Sequence, residues 1–293
     1  RIDSSANSVI YNTGVSNAID SNVPLLDIIG NVRHTNDIGA FAYSSTEIRR
    51  FVNTTSAAAG NGFTNYETSA AGVTAGYPAN YHAFVDLGTW EAAENVNLVS
   101  TDEMHIVLCD GGSSPVHDDS VPNITGWTTD ATHWIRVEAN RAEAAGFNAT
   151  AVFDSANYYT ISAASGADNG LAISENDITI DGLQFLFIST NASKRSIIIG
   201  GGSNRVVENC RFKSTGNGSN QKAIFIWSGT AGVTIRNCVF EDYLSWATDG
   251  KGLDLVTGDV YVYNNTFYDC DVAITLTSGV ATTDIIHVRN NLI

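Results

Sequence analysis

Nine-residue segments that align without gaps recur through the second half of the chain, and this repetition constrains the fold more than any other feature. They are DITIDGLQF (177–185), NRVVENCRF (204–212), GVTIRNCVF (232–240), DVYVYNNTF (259–267) and IIHVRNNLI (285–293). Their central residues, Gly182, Asn209, Asn237, Asn264 and Asn290, are separated by 27, 28, 27 and 26 positions. Between them lie shorter apolar runs: GLAI (170–173), SIII (196–199), AIFI (223–226), GLDL (252–255) and AITL (273–276). Each repeat therefore carries at least two strands. One repeat of this length cannot close a core, but stacked copies can, each pairing in parallel with the next at about 4.8 Å. The pattern predicts an all-β chain, a single-stranded right-handed parallel β-helix with coils of about 27 residues; the hand follows that of parallel crossovers in general.

Stacking converts sequence columns into ladders. Ile180, Val207, Ile235, Val262 and Val288 form one inward column, and Phe185, Phe212, Phe240, Phe267 and Ile293 a second, mainly aromatic one. The central column holds only Gly and Asn, the residues that most readily accept a left-handed backbone, so the chain is expected to turn a corner there. Asparagines stacked on that corner are expected to hydrogen-bond from rung to rung. The next column places Cys210 beside Cys238, read as two buried thiols rather than a disulfide because parallel side chains would have to twist to meet. The outward column pairs Glu208 with Arg236, expected to be exposed and worth less than about 1 kcal/mol.

Upstream the repeat loosens. MHIVLCD (104–110) and WIRVEAN (134–140) read as further rungs, and 43 residues separate Ala139 from Gly182. TWEAAE, opening a segment over 89–97, reads as a short helix capped by Thr89 that covers one end of the solenoid. The clearest coils span 170–293. The first Arg and the final strand pattern, with no initiator Met, lead us to expect a piece of a longer polypeptide.

Composition supports strands and turns: 26 Gly, 4 Pro and 10% aromatic residues among 293. The net charge of −16 disfavours nucleic acid and anionic membrane as partners. It also disfavours polyanionic sugars unless calcium screens the surface, so calcium is the one cofactor left open. The four cysteines include no CxxC pair and are too sparse for a disulfide scaffold.

NAID (17–20), LLDIIGNVR (25–33) and NDIGAFAY (36–43) resemble the closing segment of secreted and phage β-helix proteins. Residues 48–293 resemble the start and body of such a module, of the right-handed, pectin-lyase-like repeat class. The resemblance implies that 1–47 closes a preceding module, and that other copies or modules of the same fibre are partners. It also implies an extracellular or virion-surface location. The class includes lyases, hydrolases, esterases and tailspikes, so chemistry must be sought. Sugar cleavage needs two suitably spaced carboxylates, or a base assisted by calcium. The catalytic candidates are Asp254 and the pair Glu241 and Asp242; His117-Asp118-Asp119 is read as a loop with solvated acids. Phe225, Trp227, Trp246, Tyr261 and Tyr263 are candidates for stacking on sugar rings. No histidine shows metal-ligand spacing. Of six Asn-x-Ser/Thr sites, Asn191 and Asn217 lie on expected loops and are accessible, whereas Asn264 is expected to be blocked on the corner. The leading expectation is a structural and adhesive fibre module that contacts surface glycans. The alternative is a polysaccharide lyase or glycoside hydrolase.

Overall fold

A computed structural model describes residues 46–57, 60–140, 153–163, 169–188, 190, 193–227, 230–256, 258–277 and 285–293. The expected closing segment over 1–47 lies outside these residues apart from Thr46 and Glu47.

The described residues form a parallel β-solenoid. Strand β1 (Thr46–Asn53) leads in, followed by β2 (Glu103–Asp110), β3 (His117–Asp118) and β4 (Asn123–Ile124). The second coil holds β5 (Ile135–Ala139), β6 (Thr160–Ala163) and β7 (Asn169–Ile173). The third holds β8 (Ile178–Asp181), β9 (Gln184–Phe187) and β10 (Arg195–Ile199). The fourth holds β11 (Arg205–Glu208), β12 (Arg211–Ser214) and β13 (Lys222–Ile226). Then come β14 (Val233–Arg236), β15 (Val239–Glu241) and β16 (Lys251–Leu255), and after them β17 (Val260–Tyr263), β18 (Thr266–Tyr268) and β19 (Val272–Leu276). Strand β20 (Ile286–Arg289) starts a further rung.

Every third strand stacks, giving three sheets: β1-β2-β5-β8-β11-β14-β17-β20, β3-β6-β9-β12-β15-β18 and β4-β7-β10-β13-β16-β19. The repeat therefore carries three strands where the apolar runs had marked two. The nine-residue segment contains two of them, one on each side of its central residue. Register follows the sequence columns: Val207 pairs with Ile180 and Ile235, and Phe212 with Phe185 and Phe240. The four phenylalanines form a stack with ring centroids 4.7–4.8 Å apart and planes within 9° of parallel. This spacing is the inter-strand distance itself, so each ring packs fully on the next.

At the corner between the first and second sheets, Gly182, Asn209, Asn237, Asn264 and Asn290 all have φ between 53° and 70°. The left-handed turn is thus where the asparagines were expected, but their side chains point outward. Asn237 and Asn264 are exposed, and among the described residues the rung-to-rung side-chain bonds of this column run from Asn237 to Asn209 (3.3 Å) and from Asn209 to Asp181 (2.7 Å). Asn264 is consequently not blocked by burial. The buried amide ladder lies one residue further on. Asn265, 1% exposed, accepts from the Cys238 amide at 2.9 Å and donates to the Ile235 carbonyl at 3.0 Å. Asn291 repeats the pattern, accepting from the Asn265 amide and donating to the Val262 carbonyl. Each amide replaces the backbone partner that a turning strand loses. Cys210 and Cys238, above Asn265 in the same column, are free buried thiols.

Three helices precede the first full coil: α1 (Ser69–Thr74), α2 (Leu87–Glu94) and α3 (Leu98–Thr101). Helix α2 starts two residues before the expected Thr89 cap. Asp86 is the cap, its carboxylate accepting from the Thr89 amide at 2.6 Å. Asp and Thr are both good caps, and the more upstream one wins because Leu87 and Trp90 then face the core. Both are fully buried, and Trp90 stacks on Trp127 at 5.4 Å. Asp118 fixes the helix to the first coil. It is not a solvated loop acid: it is 2% exposed and accepts from the Leu87 and Ser120 amides and from the Tyr159 hydroxyl. Burial pushes its pKa up, against the lowering effect of those hydrogen bonds.

Candidate functional site

The candidate residues fall on three different faces. On the outer side of the third sheet, Ile198, Phe225, Asp254 and Thr275 occupy one register column, and Arg195, Lys222 and Lys251 another. Asp254 is only 3% exposed. Its carboxylate faces Lys222 Nζ at 3.4 Å and Lys251 Nζ at 3.2 Å and accepts from the Thr277 hydroxyl at 2.5 Å. Burial lowers the Lys222 pKa, an effect opposed by Asp254 and reinforced by the neighbouring Arg195 and Lys251. Phe225 is no open platform. It is 6% exposed, with the Arg195 guanidinium 4.5 Å and the Lys222 ammonium 4.9 Å from its ring centre. Trp227 packs edge-on against Phe225 at 5.4 Å and remains 51% exposed.

Glu241 and Asp242 sit at the end of the second sheet, where both engage Lys213, at 2.8 and 3.1 Å. These contacts raise the lysine pKa in spite of the opposing desolvation. The two acids are therefore joined to each other by a lysine and belong to a different sheet from Asp254. Trp246 stands in the loop between β15 and β16 and is 76% exposed. Asn217 is exposed in the preceding coil's equivalent loop, and Asn191 lies outside the described residues.

Tyr261 and Tyr263 project from β17 on the first sheet, away from the other aromatics. Tyr261 stacks on His287 of β20, with centroids 5.0 Å apart and planes 9° from parallel. The Tyr263 hydroxyl accepts from Arg236 at 3.3 Å, and Arg236 also holds Glu208 at 2.6 Å. Glu208 is largely buried, so this is not the exposed pair expected. Neighbouring rungs crowd it, and Arg136 joins the same row through Asp181 and, at 2.5 Å, Glu138. Together Tyr261, Tyr263, Asn264, His287, Arg289 and Asn290 line a shallow groove of about 350 Å³. His287 and Arg289 were not among the expected site residues, and Asn290 was expected only as a corner residue. The column that runs Thr179, Val206, Thr234, Tyr261, His287 would have found the first of them, since all share one outward register.

Among the described residues, no group of three or more His, Cys, Asp or Glu is placed to hold a metal ion. No described helix is long and apolar enough to cross a membrane. No protein-family model, no curated protein and no solved structure matches this chain.

Proposed function

We propose that this chain is a structural and adhesive solenoid module of an extracellular or virion-associated fibre, contacting surface glycans through aromatic residues on its outer faces. The observation that carries the reading is the use made of the candidate acids. Asp254 is clasped by two lysines and a threonine, and Glu241 and Asp242 share one lysine. Such pairing holds neighbouring rungs together and keeps each carboxylate from acting as a free acid or base. The resemblance of the sequence to phage β-helix modules favours the same reading, whereas its pectin-lyase-like side is shared with the enzyme alternative.

Partners would be other modules of the fibre. Helix α2 covers one end of the solenoid. At the other end the inner residues Leu276, Val288 and Ile293 are exposed, the last to 77%.

The alternative, a polysaccharide lyase or glycoside hydrolase, would place chemistry at Asp254 beside the buried Lys222. Replacing Asp254 with Asn separates the two readings. A structural clasp leaves Lys222 buried without its counter-charge, so Tm should fall by about 5 °C while glycan binding persists. Loss of a hydrolytic or eliminative activity at unchanged Tm would favour the enzyme.

A further inference from the structure

Two of the four lysines in the chain meet at one carboxylate, that of Asp254. Lys251 opens β16 in register beside Lys222, and its backbone amide donates to the Gln221 carbonyl at 2.8 Å. The start of the strand is thereby fixed next to the turn at Asn220. From there Lys251 Nζ lies 3.2 Å from the Asp254 carboxylate and 3.3 Å from Asn220 Oδ1. An amine thus stands between a carboxylate and the carbonyl of a side-chain amide on the neighbouring rung. Lys222, 5% exposed, already gives the buried Asp254 a counter-charge, so one carboxylate holds two ammonium groups.

The surroundings hold these groups in place. Asn220 has a left-handed backbone with φ 55°, and its Nδ2 donates to Ser193 Oγ at 3.2 Å. The Asn220 backbone amide donates to Asp249 at 2.6 Å, and the Asp249 carboxylate also accepts from the Ser245 hydroxyl. Asp271, the other acid of this corner, accepts from the Ser245 and Gly250 amides at 2.8 and 2.9 Å and so fixes the loop leading into Lys251. Thr277 donates to the second Asp254 oxygen. Ser193 comes from the rung before and Thr277 from the rung after, so the site lies inside the stack and not at its end. Groups held this closely react as one unit, without the entropy cost of bringing them together.

We propose that Lys251 and Asn220 become joined by an isopeptide bond that forms spontaneously in the folded chain, with Asp254 as the proton carrier. Asp254 takes a proton from the Lys251 ammonium, and the freed amine attacks Asn220 Cγ. The Nζ–Cγ bond forms and the Cγ–Nδ2 bond breaks. In all, two protons pass from Nζ by way of Asp254 to Nδ2, which leaves as ammonium, and Asp254 ends as the carboxylate it was. The balance needs no oxidant, metal or cofactor. One ammonium, that of Lys222, is then left on Asp254. In a solenoid each coil is held only by its neighbours, and this bond ties the fourth coil to the fifth across 31 positions of sequence. It resists the separation of rungs in a way that ladder hydrogen bonds cannot. The bond does not depend on glycan contact, so its absence would leave the adhesive reading standing.

The test is the intact mass of the purified chain under denaturing, reducing conditions. Wild type should be lighter than its sequence by one ammonia. Trypsin should leave Lys251 uncut and release a branched peptide that joins residues 214–222 to the segment carrying Lys251. Lys251→Arg keeps a cation beside Asp254 but has no amine nucleophile, and Asn220→Gly keeps the left-handed turn but has no amide. Both should show the full mass of their sequences, and Asp254→Asn should leave most of the chain unlinked. A full mass in folded wild type would overturn the proposal. A deficit that persists in Lys251→Arg marks a cyclised asparagine and would overturn it too. Loss of water with a link between Lys222 and Asp254 would place the bond elsewhere and refute the assignment to Asn220. Complete linkage in Asp254→Asn would refute the role given to that carboxylate.

Discussion

At the scale of single residues, the asparagines separate into two roles that one sequence column had merged. The residue that turns the corner must accept positive φ, and Gly or Asn does so at low cost. The residue after it must satisfy a backbone that has just left its ladder, and Asn265 and Asn291 do this from inside. The column spacing revealed the first role. The second was hidden because Cys210 and Cys238 fill the same position in earlier coils, with sulfur in place of an amide. Charge was harder still to place, since ion pairs between rungs depend on rotamers and not on spacing. His133 is an example: Nδ1 meets Asp130 at 2.7 Å and Nε2 meets Asp102 at 3.2 Å. Burial lowers its pKa, but the hydrogen bonds and charges of the two aspartates more than offset this, and the net shift is upward. The stability it contributes is therefore complete below the unfolded value of about 6.5 and is lost as pH rises through the higher folded value. Wild type should exceed His133→Gln in Tm by more at pH 5.5 than at pH 8.5. A difference that is constant across this range would contradict the pairing. His105, whose pKa burial lowers, changes in the opposite direction and cancels in the comparison of the two proteins.

At the scale of elements, the strands of the last five rungs were legible because apolar alternation, turn residues and repeat length agreed. The second strand of each coil was not. Its residues, such as Val239–Glu241, are too few to show a period of their own. The capping helix was legible in position and purpose, but its first turn was not, since local propensity allowed both Asp86 and Thr89 as caps. Burial of Leu87 and Trp90 decided between them. Asp86→Ala should cost about 1 kcal/mol and lower Tm by about 2 °C. Hydrogen exchange should increase first at α2 and at the adjoining β3–β4 segment, where Asp118 and Ser120 accept from its first amides. If Thr89→Ala has this effect and Asp86→Ala does not, the cap has been misplaced.

At the scale of the whole molecule, the described residues form about six stacked coils around one continuous core. The outer surface divides into faces with different uses. The third sheet devotes Asp254, Lys222 and Lys251 to one another and sequesters Phe225 beneath two cations. The first sheet pairs Glu138, Asp181 and Glu208 with Arg136 and Arg236 along β5, β8, β11 and β14, and Tyr261, Tyr263, His287 and Arg289 line a shallow groove beyond them. The proposed adhesive reading uses the first and third faces as a support for aromatic contact points and treats the clasped carboxylates as structural. The fold was legible in the sequence because its repeat is one-dimensional. The site was less so, because ion pairs and burial around Asp254, Glu241 and Phe225 depend on side chains from neighbouring rungs, although the placing of the five aromatic candidates on two sheets and a loop follows the strand pattern. The most direct measurement is to incubate the chain with a panel of defined polysaccharides and follow, in the same samples, retained binding and released product. Saturable binding with no new reducing ends and no unsaturated products over many hours is the result expected of an adhesive module. Steady product release that stops in Asp254→Asn, with the variant still folded, would contradict it.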